Sequence, residues 1–195
     1  MADSFDNKMT GLSRQPVSAT SRWKAYGKIG IILGSARSDG HTAQIAAQIS
    51  SRLGANLIDL KEYQIGHYDY QHGYKNDDFL NLIRNEIIEM DTLILATPVY
   101  WYSMSGRMKV FLDRFTDLLK IEKDLGRQLR DKSLAVFTTS NGDNLGADFW
   151  HPFVKTANYL GMHYLANAHF FEGDIAKPDL EVDFVNDLLT ARANL

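Results

Sequence analysis

Short apolar runs alternate with longer stretches in which apolar residues return every three or four positions, and this rhythm begins at Lys28. The runs at 29–33, 92–96, 133–138 and 163–170 are apolar at consecutive positions, as strands buried on both faces of a parallel sheet must be, and a weaker run stands at 56–60. Between them the period is helical. Ile45, Ile49 and Leu53 share one face and stop at Gly54, a natural residue to end a helix. Phe79, Leu82, Ile83, Ile87 and Met90 form a second stripe, with Asn76, Asp77 and Asp78 placed to cap it. Met108, Phe111, Leu112, Phe115 and Leu119 give a third, starting after Ser105 as cap. Phe149, Phe153, Ala157 and Leu160 give a fourth, with Pro152 in its first turn or kinking it. The last starts at Pro178 and runs through Leu180, Phe184 and Leu188. Five strands and five helices in strict alternation predict a doubly wound α/β sandwich of three layers, whose ligand site lies beyond the carboxyl ends of the strands.

Residues 1–27 are polar and aperiodic up to Trp23, so they read as an N-terminal extension to a domain spanning 28–195. Residues 1–20 fit a mobile leader; Trp23 and Tyr26 fit equally an arm packed on a partner subunit. A formal charge of −3 leaves no broad basic surface for nucleic acid or anionic lipid. With no cysteine, the chain has no disulfide, no thiolate metal site, no nucleophilic thiol and no cysteine-ligated iron–sulfur cluster. Any redox chemistry therefore calls for a bound organic cofactor. No apolar run approaches the roughly 20 residues needed to span a bilayer, and a cytoplasmic location is expected.

Three loops at the predicted strand ends carry the chemistry. The first strand runs into Gly34-Ser35-Ala36-Arg37-Ser38-Asp39-Gly40-His41-Thr42, after which a helix begins. Gly34 and Gly40 permit close backbone approach, hydroxyls and Arg37 supply donors, and the helix start adds free N–H groups, which together make a phosphate cradle. It is neither a dinucleotide-binding GxGxxG nor a Walker loop. The plainer alternative is a polar turn capped by Thr42. Asp39 is out of place in an anion site and should point outward.

The third strand ends in Thr97-Pro98-Val99-Tyr100-Trp101-Tyr102 and continues Ser103-Met104-Ser105-Gly106. Three consecutive aromatics cannot all face one side, so at least one ring is presented at the surface or to a flat ligand; a dimer contact is the alternative, and both can hold. The fourth strand ends in Thr138-Thr139-Ser140-Asn141-Gly142-Asp143-Asn144, small and polar enough to wrap a second edge of a ring system.

At these residues the chain resembles the flavodoxin-like NAD(P)H-dependent FMN reductase family, which includes related quinone and azo-dye reductases. Gly34-Ser35-Ala36-Arg37 with Gly40-His41-Thr42 is similar to the family's GSxRxxGNT phosphate loop, with His41 where Asn is usual. The segment from Thr97 to Gly106 with Lys109, Phe111, Asp113 and Arg114 is similar to its TPVYW-S-SG-K-F-DR stretch. The resemblance implies a flavodoxin-like five-stranded parallel sheet of order 2-1-3-4-5. It implies FMN held without covalent linkage, the phosphate on Gly34, Ser35, Arg37, Gly40, His41 and Thr42. The ring would lie against Thr97, Pro98, Val99, Tyr100, Trp101 and Tyr102, with Thr139, Ser140, Asn141 and Gly142 on its other edge.

It further implies hydride transfer from NADH or NADPH to the flavin and on to a quinone, free flavin or similar small acceptor. The flavin carries that chemistry, so no side-chain acid or base need be catalytic. A homodimer with the flavin near the interface is implied too, and the aromatic loop and the Phe111 and Phe115 stripe are expected to contribute to it. Two other readings stay open: a flavodoxin-type electron carrier, against which a charge of only −3 argues, and a phosphate-ligand-binding protein on the same fold.

Other residues are set aside. His67-Tyr68-Asp69-Tyr70-Gln71-His72-Gly73-Tyr74 holds two histidines and a carboxylate, but not at metal-ligand spacing, and reads as a substrate mouth or subunit contact. Asp113 and Arg114 read as a helix-surface ion pair or a dimer contact. His151, His163 and His169 have no partner recognisable in the sequence.

Overall fold

The computed structural model describes residues 27–74, 76–171, 177 and 179–195. Trp23, Tyr26 and Pro178, singled out above, lie outside the described residues. The strands are β1 (Ile29–Leu33), β2 (Asn56–Asp59), β3 (Thr92–Tyr100), β4 (Ser103–Met104), β5 (Ser133–Ser140) and β6 (His163–Phe171). The helices are α1 (His41–Leu53), α2 (Asp78–Asn85), α3 (Gly106–Asp113), α4 (Phe115–Lys120), α5 (Lys123–Arg127), α6 (His151–Leu160) and α7 (Val182–Ala193). Five parallel strands lie in the order β2-β1-β3-β5-β6, the predicted flavodoxin-like path, and β4 is a two-residue antiparallel addition to the end of β3.

Alternate residues of the central strands feed two separate cores. Ile32, Leu93, Leu95, Leu134 and Val136 pack with α2, α3, α4 and α6, whereas Ile31, Leu33, Ile94, Ala96, Ala135 and Phe137 pack with α1 and α7. Both faces of β1, β3 and β5 are thus covered, and these three strands carry polar side chains only toward their ends. The outermost strand β6 is mostly half-buried instead of buried on both faces as expected, because it has a neighbour on one side alone.

Several helices are shorter than their stripes. Gly54 ends α1 in the left-handed conformation (φ 63°), as predicted, and Asp77 caps α2 by accepting from Phe79 N at 3.0 Å. The second stripe breaks after Asn85, and Ile87 and Met90 belong to a single 3-10 turn (Ile87–Glu89) and the residue after it. Pro152 sits in the first turn of α6, and Phe149 precedes it in a 3-10 turn.

The third stripe divides at Arg114 into α3 and α4, and this residue overturns its reading as a surface ion pair. Arg114 is 1% exposed. Its Nε donates to Asp117 Oδ2 at 2.8 Å, Nη1 to Asp77 and to the Gly66 carbonyl, and Nη2 to the Tyr74 carbonyl at 3.2 Å and again to Asp77. Its guanidinium also lies 4.8 Å from the Phe79 ring centroid. Burial pulls the guanidinium pKa down, but hydrogen bonds and charge from Asp77 and Asp117 outweigh that and hold it above its ordinary value. Asp117 Oδ1 in turn lies 2.9 Å from His72 Nδ1, from which it accepts, and Asp77 accepts from Gly66 N at 2.7 Å. The loop after β2 is thereby tied to α2, α3 and α4. Asp113, by contrast, pairs at the surface with Lys109.

Phe111 and Phe115 are buried and pack edge-on to each other and against Phe79, so they belong to this chain's core and not to a subunit face. Arg114→Ala leaves two carboxylates uncompensated in the interior and is expected to cost about 3–5 kcal/mol of stability. Arg114→Lys should recover little, because an ammonium cannot span both carboxylates and two carbonyls. Urea unfolding of the three proteins checks this; a loss below about 1 kcal/mol in Arg114→Ala would show that the network is not what holds the loop.

Candidate functional site

A cavity of about 470 Å³ opens where β1, β3 and β5 end, within the range of small-molecule sites. One wall is the start of α1 with the loop before it. Ser35 lies buried there and its Oγ accepts from Arg37 N at 3.2 Å, closing a tight turn. Gly40 occupies the cap position of α1 but, having no side chain, donates nothing to the helix and accepts nothing from it through one. The first turn holds no acidic residue to compete for its N–H groups and positive dipole end, and Gly40, His41 and Thr42 at that end line the cavity. A Cβ at Gly40 would come within 3.3 Å of the Arg37 guanidinium, so the glycine leaves that group room over the helix start. Asp39 is exposed and does not line the cavity, as expected of it.

Thr42 does not act as the cap. It is buried in the first turn, and its Oγ1 shares a hydrogen bond of 2.6 Å with Thr139 Oγ1 from the end of β5. Two walls of the cavity are joined by that contact. The β5 wall continues through Ser140, Asn141 and Gly142, where Ser140 Oγ donates to the Gly142 carbonyl at 2.6 Å and lies 2.6 Å from His169 Nε2. His169 therefore has a partner that its sequence context did not reveal.

The aromatic wall is a hairpin. Tyr100 pairs with Ser103 and Val99 with Met104, leaving Trp101 and Tyr102 as a two-residue turn with φ of 50° and 61°. Positive φ at both central positions is the type I′ geometry that Asn-Gly favours and that bulky residues enter only at a cost. The rings gain no burial in return: Tyr100, Trp101 and Tyr102 are 45%, 95% and 71% exposed. A strained turn that holds large apolar rings in solvent beside a cavity is a feature of function and not of packing.

Most predicted residues meet at this cavity: Ser35, Arg37, Gly40, His41 and Thr42; Pro98, Val99, Tyr100, Trp101 and Tyr102; Thr139, Ser140, Asn141 and Gly142. Gly34 and Thr97 lie behind it. A Cβ at Gly34 would come within 2.9 Å of Met108, so the approach of α3 by itself calls for glycine there. Thr97 is buried; its Oγ1 accepts from Ser105 N at 3.0 Å, and Ser105 Oγ both accepts from Met108 N, capping α3, and donates to the Gly34 carbonyl. Asn144 and Leu145 also line the cavity and were missed. Asn144 extends the polar run already noted, but nothing in the sequence marks Leu145, which turns inward to the core beneath.

Among the described residues no carboxylate lines the cavity, and Arg37 and His41 stand on the α1 wall. That wall suits an anion, and the hairpin a planar ring. Among the described residues, no group of three or more His, Asp or Glu could hold a metal ion, and no helix is long and apolar enough to cross a membrane.

Residues 27–176 match the NADPH-dependent FMN reductase family. A protein of Bacillus subtilis (strain 168), YwqN, which carries the provisional name NAD(P)H-dependent FMN-containing oxidoreductase, is 32% identical over 148 residues, covering 70% of this chain and 81% of that protein. The Trp repressor binding protein of Bacillus subtilis superposes with a TM-score of 0.61 at 24% identity, over 86% of this chain and all of that one. General stress protein 14 of Treponema denticola, solved with FMN, superposes with a TM-score of 0.57 at 18% identity, over 86% and 99%. At such identities the two structures speak for the fold alone.

Replacing Trp101-Tyr102 by Asn-Gly should raise stability by about 1–3 kcal/mol, since it relieves positive φ at two bulky residues and gives up little buried surface. A urea midpoint that stays level or falls would show that the turn stores no strain.

Proposed function

Because this chain belongs to the NADPH-dependent FMN reductase family, and so uses FMN and NAD(P)H, we propose that the cavity at the ends of β1, β3 and β5 is its FMN site and that a quinone, a free flavin or a similar small molecule is the acceptor. The observation that carries this reading is the uncapped start of α1, with no acidic residue in its first turn and open to the same cavity as the exposed aromatic hairpin.

FMN, when bound, supplies the two-electron redox chemistry that no side chain here provides. The chain's part is binding and orientation. Ser35, Arg37, His41 and Thr42 surround the α1 start and hold the phosphate; an imidazole at 41 can donate as an amide would. Pro98 to Tyr102 form the platform for the ring, with peptide N–H groups available to its polar edge, and the loop 139–142 closes the other side. The Thr42–Thr139 bond fixes the spacing between phosphate wall and ring wall. Gly34 and Thr97 serve as supports, through Met108 and Ser105.

The exposed hairpin also supports a homodimer in which Tyr100, Trp101 and Tyr102 meet the second copy near the cavity. Light scattering at micromolar concentration should give twice the chain mass; a monomer with full FMN occupancy removes the dimer and leaves the flavin site standing.

FMN fluorescence titration should show stoichiometric binding. Arg37→Ala is expected to weaken FMN by about 1.5–3 kcal/mol while sparing riboflavin, because only FMN offers the phosphate. Equal weakening of both places Arg37 elsewhere, and failure of FMN to bind below millimolar concentration removes the site. Anaerobic NADPH or NADH should bleach the flavin absorbance and a quinone should restore it, whereas absence of reduction by either nicotinamide points to an electron carrier.

A further inference from the structure

A second pocket, of about 280 Å³, lies between the segment after β2 and the start of α3. Leu60, Ile65 and Val110 make its apolar walls, Gly106 leaves it open, and Arg107 and His67 are its polar groups. We propose that this pocket holds the phosphorylated adenosine end of the nicotinamide dinucleotide, and that Arg107, by pairing with the 2′-phosphate, selects NADPH over NADH. The proposal rests on the FMN reading of the larger cavity.

Three observations support it. The first is how Arg107 is held. Its Nη1 donates to the Leu60 carbonyl at 3.2 Å, which anchors the guanidinium at the pocket, and none of its other donors has a partner among the described residues. Neighbouring cations differ: Arg114 is saturated by carboxylates and carbonyls, and Lys109 is paired with Asp113. A fixed guanidinium with free donors is suited to a phosphate dianion, while the 2′-hydroxyl of NADH gives it no charge to meet.

The second is composition. Among the described residues no carboxylate lines the pocket to compete for Arg107, and the imidazole of His67 offers a further nitrogen to a phosphate oxygen. The aliphatic walls are suited to the face of a purine. The third is reach. Tyr102 lines the larger cavity and Gly106 this pocket, so the two sites are separated by four residues of chain and lie within about 14 Å of each other along it. A dinucleotide with its nicotinamide end at the hairpin can place its adenosine end here.

Calorimetric titration of the FMN-loaded protein with 2′,5′-ADP and with 5′-AMP tests the proposal without turnover. The first should bind at least about tenfold more tightly, as expected for one charge-assisted contact. Arg107→Gln should abolish that difference, leave FMN affinity unchanged, and raise KM for NADPH about tenfold with kcat and the NADH constants unaltered. Val110→Asp, which puts a carboxylate in the pocket by another route, should have the same sign. Equal binding of the two nucleotides, a preference that survives Arg107→Gln, or equal losses with NADPH and NADH overturns the assignment. Failure of the protein to bind FMN overturns the reading of the larger cavity instead.

Discussion

A parallel sheet covered by helices on both faces has only its ends left for polar chemistry, and that restriction organises this molecule. The interior residues of β1, β3 and β5 are apolar to either side, and each strand turns polar within three residues of its carboxyl end: Ser35 after β1, Thr97 in β3, Thr139 and Ser140 in β5. Hydroxyls are the suitable groups at such a boundary. They can satisfy one another where buried, as Thr42 and Thr139 do, and still offer a proton or lone pair where they face the cavity.

The second constraint is a buried cation. Arg114 uses its guanidinium to gather two carboxylates and two carbonyls from three parts of the chain, and so joins the loop after β2 to the helices around it. A partly satisfied network of this kind would be worse than an apolar core. With its partners complete, it fixes a long irregular segment beside α3, and the second pocket is formed by one end of that segment.

The strands were legible because their apolar runs follow from burial on both faces, and the cavity wall after β1 because glycines, hydroxyls and a helix start fall together there. What escaped was set by tertiary contact. Arg114 sits four residues after Val110 in an amphipathic stripe and looks like any solvated arginine until Asp77, far away in sequence, is brought beneath it. The hairpin was read as a loop because Trp-Tyr is a poor type I′ pair; the rule that favours Asn-Gly there describes cost, and here the cost is accepted. The stripe from Met108 to Leu119 reads as one helix by periodicity, since Arg114, between the end of α3 and the start of α4, keeps a right-handed helical backbone and leaves the apolar spacing intact.

Gly34 carries a consequence for how motifs are interpreted. It opens the loop that walls the cavity at the start of α1, and its own carbonyl is clasped by Ser105 while its missing side chain makes way for Met108. If related chains admit no other residue at this position, the intolerance belongs to the docking of a helix behind the cavity, and a relative that had lost the ligand altogether would keep the glycine. Part of what a signature of binding records is then the scaffolding of the site, which selection on the ligand alone would never reveal.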